Sequence, residues 1–133
     1  MARVLVVDDD RALQAILADV LTGEGHDVVI AGHGQEALAA LCVAPRPDVI
    51  FTDLMMPVLD GWGFIERCRE LPDFRSIPFV VISAATAVPN ASDRLQALGV
   101  RECISKPFEL DALLGAVDRY SARGAIPAYC SVG

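Results

Sequence analysis

The chain has 133 residues, 53% of them hydrophobic and 22% charged, which fits one folded domain with its own core and excludes a disordered chain. A formal net charge of −7 repels the phosphate backbone, so direct nucleic-acid binding is not expected. There is no leader-like apolar stretch behind a basic start, and the longest apolar run, from Ile77, is too short for a bilayer; membrane insertion is not expected, and a cytoplasmic location is.

The first element is a strand at residues 4–7, followed by a helix whose stripe is Leu13, Ile16, Leu17, Val20 and Leu21. Gly23 and Gly25 end it. A second strand at residues 28–31 leads to a shorter stripe of Ala37, Leu38, Leu41 and Cys42. The third strand, residues 49–52, precedes a helix carrying Trp62, Ile65, Cys68 and Leu71, which Pro72 stops. The fourth strand, residues 79–82, is followed by Ala91, Leu95 and Leu98 at helical spacing, with Gly99 as terminator. The fifth strand, residues 100–104, leads to a last helix with Leu110, Leu113, Leu114 and Val117.

All five strands are short, β-branched and continuous rather than alternating, the pattern of parallel strands covered on both faces. A βα unit repeated five times is an α/β fold, a doubly wound parallel sheet with right-handed crossovers. We assign residues 1–120 to this domain and 121–133 to a poorly ordered tail or linker, because periodicity fades there. Cys42, Cys68, Cys103 and Cys130 fit no zinc or C-x-x-C spacing and are read as free thiols of a reducing compartment. His26 and His33 lie near turns and are read as surface residues; Trp62 is read as core or rim.

In open α/β sheets ligands bind beyond the carboxyl ends of the strands. The first strand ends in Asp8-Asp9-Asp10, the third in Asp53, the fourth in Ser83 and the fifth in Lys106-Pro107. Lys106 is the only lysine in the chain, against ten arginines. Carboxylates converging at one edge repel each other, by about 1 kcal/mol at ~4 Å even when well solvated. A hard divalent cation with oxygen ligands would offset that, and the lysine adds a second positive charge suited to phosphate. Asp8–Asp10 could instead cap the first helix, a reading that is strongest for Asp10.

These residues carry a resemblance. Val-Val-Asp-Asp-Asp at 6–10, Thr-Asp-Leu-Met-Met-Pro at 52–57 with Asp60-Gly61 behind it, Val-Ile-Ser-Ala at 81–84 and Lys-Pro-Phe at 106–108 resemble the receiver domains of bacterial two-component response regulators. The resemblance implies a flavodoxin-like receiver fold with strand order 2-1-3-4-5. It implies Asp53 as phosphoacceptor and Mg²⁺ held by Asp8, Asp9, Asp53 and the Met55 backbone carbonyl. Ser83 and Lys106 would contact the phosphoryl group. The phosphodonor would be a phosphohistidine on a sensor histidine kinase or a histidine phosphotransfer protein. The output would be a downstream protein partner, or an output domain absent from this chain, reached through the fourth and fifth βα units. Such a domain promotes only its own phosphorylation and dephosphorylation and is not otherwise an enzyme.

Two positions depart from the family pattern. Cys103 stands where an aromatic switch residue is common, three places before Lys106. Met55 and Ala85 cannot hydrogen-bond a hydrolytic water through their side chains, which implies slow self-dephosphorylation. Two other readings compete. A degenerate receiver would signal by contact alone, but would usually have lost part of the Asp8, Asp9, Asp53, Ser83 and Lys106 set. A haloacid-dehalogenase-like phosphatase shares the Asp8-x-Asp10 spacing, yet Arg11-Ala12 replaces the expected Gly-Thr.

Overall fold

Apolar runs with no polar face demand cover on both sides, and the chain supplies it in alternation. The computed structural model describes residues 2–43, 46–54, 58–84, 96–100, 102–106 and 110–125. Strands β1 (Arg3–Val7), β2 (Asp27–Ala31), β3 (Val49–Thr52), β4 (Phe79–Ala84) and β5 (Glu102–Lys106) form one parallel sheet in the order β2-β1-β3-β4-β5. Helices α1 (Arg11–Gly23), α2 (Gly34–Val43), α3 (Gly61–Glu70) and α4 (Leu110–Ala125) connect and flank it.

Successive residues of a strand point to opposite faces, and the core divides accordingly. Val4 and Val6 of β1, with Val49, Phe51, Val80 and Ile82, pack on Leu17 and Leu21 of α1 and Leu113, Ala116 and Val117 of α4. Leu5 and Val7, with Ile50, Phe79 and Val81, pack on Ala37 and Leu41 of α2 and Trp62, Phe64, Ile65 and Cys68 of α3. At about 25 cal/mol per Å² of apolar surface removed from water, these two layers dominate the stability.

The helix ends follow from local chemistry. The Asp10 side chain accepts from the Ala12 and Leu13 amides and caps α1, an interaction worth about 1 kcal/mol. Gly25 takes the left-handed φ of 89° that closes the helix, and the His26 amide then donates back to the Leu21 carbonyl. Asp60 caps α3 through the Gly63 amide. At the far end of α3, Arg69 lies 4.8 Å from the Phe79 ring and donates to the carbonyls of Leu98, Arg75, Ile77 and Gly99. One guanidinium thus ties α3 to the loop before β4 and to the turn at Gly99.

Several elements differ from the sequence expectation. β5 runs Glu102–Lys106 rather than 100–104, because its polar residues suit an edge strand that apolar content cannot mark. α4 continues past Tyr120 to Ala125. Ile16 is 50% exposed although it completes the α1 stripe; Leu17 and Leu21 make the contact instead. His26 is buried rather than on the surface, and its Nδ1 accepts from the Ala2 amide at 2.9 Å. Of the fourth helical stripe, Ala91 and Leu95 lie outside the described residues. Cys42, Cys68 and Cys103 are free thiols; burial pushes Cys68 up to about 12, against the pull of neighbouring Arg69. No helix among the described residues is long and apolar enough to cross a membrane.

Candidate functional site

Strand register brings the acidic residues together. Val7 at the end of β1 pairs with Ala31 of β2 and with Thr52 at the end of β3. Asp8 and Asp53 are therefore the first residues beyond two adjacent strands. The ladder extends one step past the strands: the Asp8 amide donates to the Ala31 carbonyl at 3.0 Å and the Asp53 amide to the Val7 carbonyl at 2.9 Å. Both side chains start from backbone that the sheet holds.

Asp8 and Asp53 are 3% and 9% exposed, while Asp9 is open to solvent. One carboxylate oxygen from each of the three lies within 4.8 Å of the others. Two unit charges 4.8 Å apart repel by about 1 kcal/mol in water and about 3 kcal/mol at an effective dielectric of ~20. An all-oxygen, net-negative and partly buried set of this size fits a hard divalent cation and suits neither zinc nor a soft metal. Asp10 stands apart from this trio, its oxygen committed to the α1 amides. The capping reading holds for Asp10, and the clustering reading for Asp8 and Asp9.

The loop after Asp53 is shaped by close backbone approach. A Cβ on Gly61 would lie 2.1 Å from the Asp53 carbonyl oxygen, so no other residue fits there without moving Asp53. The Gly61 amide donates to the Leu54 carbonyl at 3.0 Å, and the Thr52 hydroxyl donates to the Asp53 carbonyl at 2.9 Å. From the other side, the Gly34 amide at the start of α2 donates to the Leu59 carbonyl at 2.9 Å. Between these ties Val58 has a φ of 67°, a left-handed conformation that costs a β-branched residue roughly 1–2 kcal/mol.

Ser83 and Lys106 arrive by register. Ser83 pairs with Ser105, and Ala84 with Lys106, at the same carboxyl edge of the sheet that carries Asp53. Met55, Ala85 and Pro107 lie outside the described residues. Cys103 is exposed on β5, beside Val81 in register.

Sequence reasoning overlooked two contributors. Gln14, on α1, donates from Nε2 to the Asp8 carbonyl at 2.5 Å. Gly34 admits the Leu59 carbonyl so closely that an added Cβ would sit 2.7 Å from it. A side-chain-to-backbone bond leaves no periodic trace, and a glycine admitted for its missing Cβ looks like any turn glycine.

Residues 4–118 match the family model of the response regulator receiver domain. The chain belongs to this family. As a receiver domain it is similar to the DNA-binding response regulator MtrA of Mycobacterium tuberculosis, 38% identical over 115 residues that make up 86% of this chain and 48% of that protein. The chain spans about half the length of the curated relatives it matches. The receiver domain of Francisella response regulator 1452 superposes with a TM-score of 0.82 at 30% identity, covering 93% of this chain and 99% of that one. The receiver domain of the sensor histidine kinase PA1611 from Pseudomonas aeruginosa, solved with a magnesium ion coordinated in its active-site cleft, superposes at 0.79 with 26% identity, covering 90% and 96%. The strand order matches the doubly wound fold expected from the sequence.

Proposed function

We propose that this receiver domain accepts a phosphoryl group on Asp53, with Mg²⁺ held by Asp8, Asp9, Asp53 and the Met55 carbonyl. The observation that carries the reading is the trio of carboxylates within 4.8 Å at the carboxyl edge of a parallel sheet. The magnesium in the cleft of the PA1611 receiver supports the choice of metal. When bound, Mg²⁺ neutralises charge on the phosphoryl oxygens and on the carboxylates that surround them.

The chain's own groups do the rest. An Asp53 carboxylate oxygen attacks the phosphorus of a phosphohistidine on a sensor histidine kinase or histidine phosphotransfer protein. The new P–O bond forms as the P–N bond breaks, the leaving imidazole takes up a proton, and an acyl phosphate remains on Asp53. Lys106 supplies positive charge to the transferred group and Ser83 donates a hydrogen bond from its hydroxyl. Catalysis is confined to this self-modification and its slow reversal by water, Met55 and Ala85 offering no side chain to orient that water. The acyl phosphate carries roughly −2 where the carboxylate carried −1, and its extra charge and acceptor oxygens then shift the population of the β4–β5 surface toward its active state.

The output is contact with a protein, either a domain elsewhere in the same regulator or a separate partner. DNA binding belongs to relatives such as MtrA as whole proteins, and the acidic receiver itself is not its seat. The site of action is the cytoplasm. Intact mass after incubation with Mg²⁺ and acetyl phosphate tests the reading. One phosphoryl adduct that requires Mg²⁺ and is missing from Asp53→Asn is expected. No adduct on folded wild type, whether from acetyl phosphate or from a histidine kinase, would favour signalling by contact alone.

A further inference from the structure

Among the described residues, three hydrogen bonds hold Asp8, and one of them comes from a side chain of another element. Its amide donates to the Ala31 carbonyl and its Oδ1 accepts from the Asp10 amide at 2.9 Å. Its carbonyl accepts from Gln14 Nε2 at 2.5 Å. That carbonyl belongs to the peptide joining Asp8 to Asp9, so its direction fixes ψ of Asp8 and φ of Asp9 together. These two angles set the direction in which the Asp9 carboxylate leaves the backbone relative to that of Asp8. Gln14 itself sits in the first turn of α1, whose start is fixed by the Asp10 cap, and a Cβ added to Gly32, in the turn after β2, would lie 3.9 Å from its Nε2.

We propose that Gln14 is a positioning residue for the divalent-cation site, orienting the Asp8–Asp9 peptide so that both carboxylates face the same point as Asp53. The inference rests on the metal-binding reading given above. Partners one step removed from a metal ligand commonly change affinity by an order of magnitude or more when removed. The Gln14 bond has the geometry for that role, since it grips the backbone between two ligands rather than either carboxylate.

Charge and orientation make opposite demands on one substitution. Gln14→Glu keeps the size, loses the donor and adds a negative charge. Electrostatics alone would tighten cation binding; loss of the carbonyl's partner weakens it. Gln14→Leu loses the donor without changing charge.

Titration calorimetry with Mg²⁺ alone, on wild type and both variants, decides between them, with melting curves in EDTA to confirm folding. Affinity about tenfold weaker in both variants is expected. The Mg²⁺ concentration for half-maximal phosphorylation by acetyl phosphate should rise in step, with the rate at saturating Mg²⁺ retained. Unchanged affinity in Gln14→Leu, or tighter binding in Gln14→Glu, would overturn the role of Gln14 and leave the metal site standing. Absence of Mg²⁺ binding by the wild type would overturn the metal site and this role with it.

Discussion

A methyl group at residue 61 would sit 2.1 Å from the Asp53 carbonyl oxygen, well inside van der Waals contact. The opposing atom is backbone, held by the Thr52 hydroxyl, so relief requires moving the proposed phosphoacceptor. Gly61→Ala is therefore expected to cost roughly 1–3 kcal/mol in denaturant unfolding and to slow phosphorylation at saturating Mg²⁺. Gly23→Ala is the control: nothing lies within 4 Å of the added carbon, and stability should hold or rise by up to about 1 kcal/mol. Unaltered unfolding of Gly61→Ala would show that the loop yields freely. At this scale the sequence was half legible. Asp8, Asp9 and Asp53 announced themselves because charge at strand ends needs a reason. Gly61 was visible only as part of a motif. Gln14 and His26 were silent, since each acts through a side-chain bond to backbone outside its own element, which leaves no mark on periodicity.

Among the elements, β5 and α4 are joined by a polar lock. Glu102 accepts from Arg119 Nε at 3.1 Å and from the Tyr120 hydroxyl at 2.8 Å. Partial burial pushes the Glu102 carboxyl up, but the Arg119 and Tyr120 bonds together outweigh it and hold it below the ordinary carboxylate range. A folded pKa below the unfolded one means stabilisation that is complete above the unfolded value and lost as pH falls through the folded value. Glu102→Gln should thus melt lower than wild type near neutrality, with the gap closing below about pH 4. A gap independent of pH would assign the lock to packing rather than charge. The same glutamate explains why β5 was misplaced from sequence. Apolar content drew the strand toward Val100, whereas the edge position tolerates Glu102 because α4 answers it. β1 and β3 are apolar except at one end each and were legible almost to the residue, β3 at Val49–Thr52 and β1 one residue longer than expected because it takes in Arg3.

Across the whole molecule, the order of βα units follows from periodicity, and handed crossovers leave few ways to wind them. The order β2-β1-β3-β4-β5 itself came from family resemblance, which pure periodicity could not supply. The sheet then has one consequence that belongs to no single element: it concentrates negative charge at its carboxyl edge in a chain already at −7. Metal-free Asp53→Asn should accordingly be more stable than metal-free wild type, by on the order of 1–2 kcal/mol from relieved repulsion. Saturating Mg²⁺ should reverse the ranking, since binding at a hundredfold excess over Kd adds about 2.7 kcal/mol to the form that binds. An Mg²⁺-induced rise in Tm that is equal in both proteins would place the cation elsewhere.

An acyl phosphate on Asp53 can be trapped where it forms. Borohydride reduces an aspartyl phosphate to homoserine, which peptide mass spectrometry locates in the sequence. With Mg²⁺ and acetyl phosphate, conversion is expected at Asp53 and at no other aspartate, and none is expected when Mg²⁺ is chelated. Conversion at Asp8, Asp9 or Asp10 instead, or conversion at Asp53 that ignores Mg²⁺, would contradict the account.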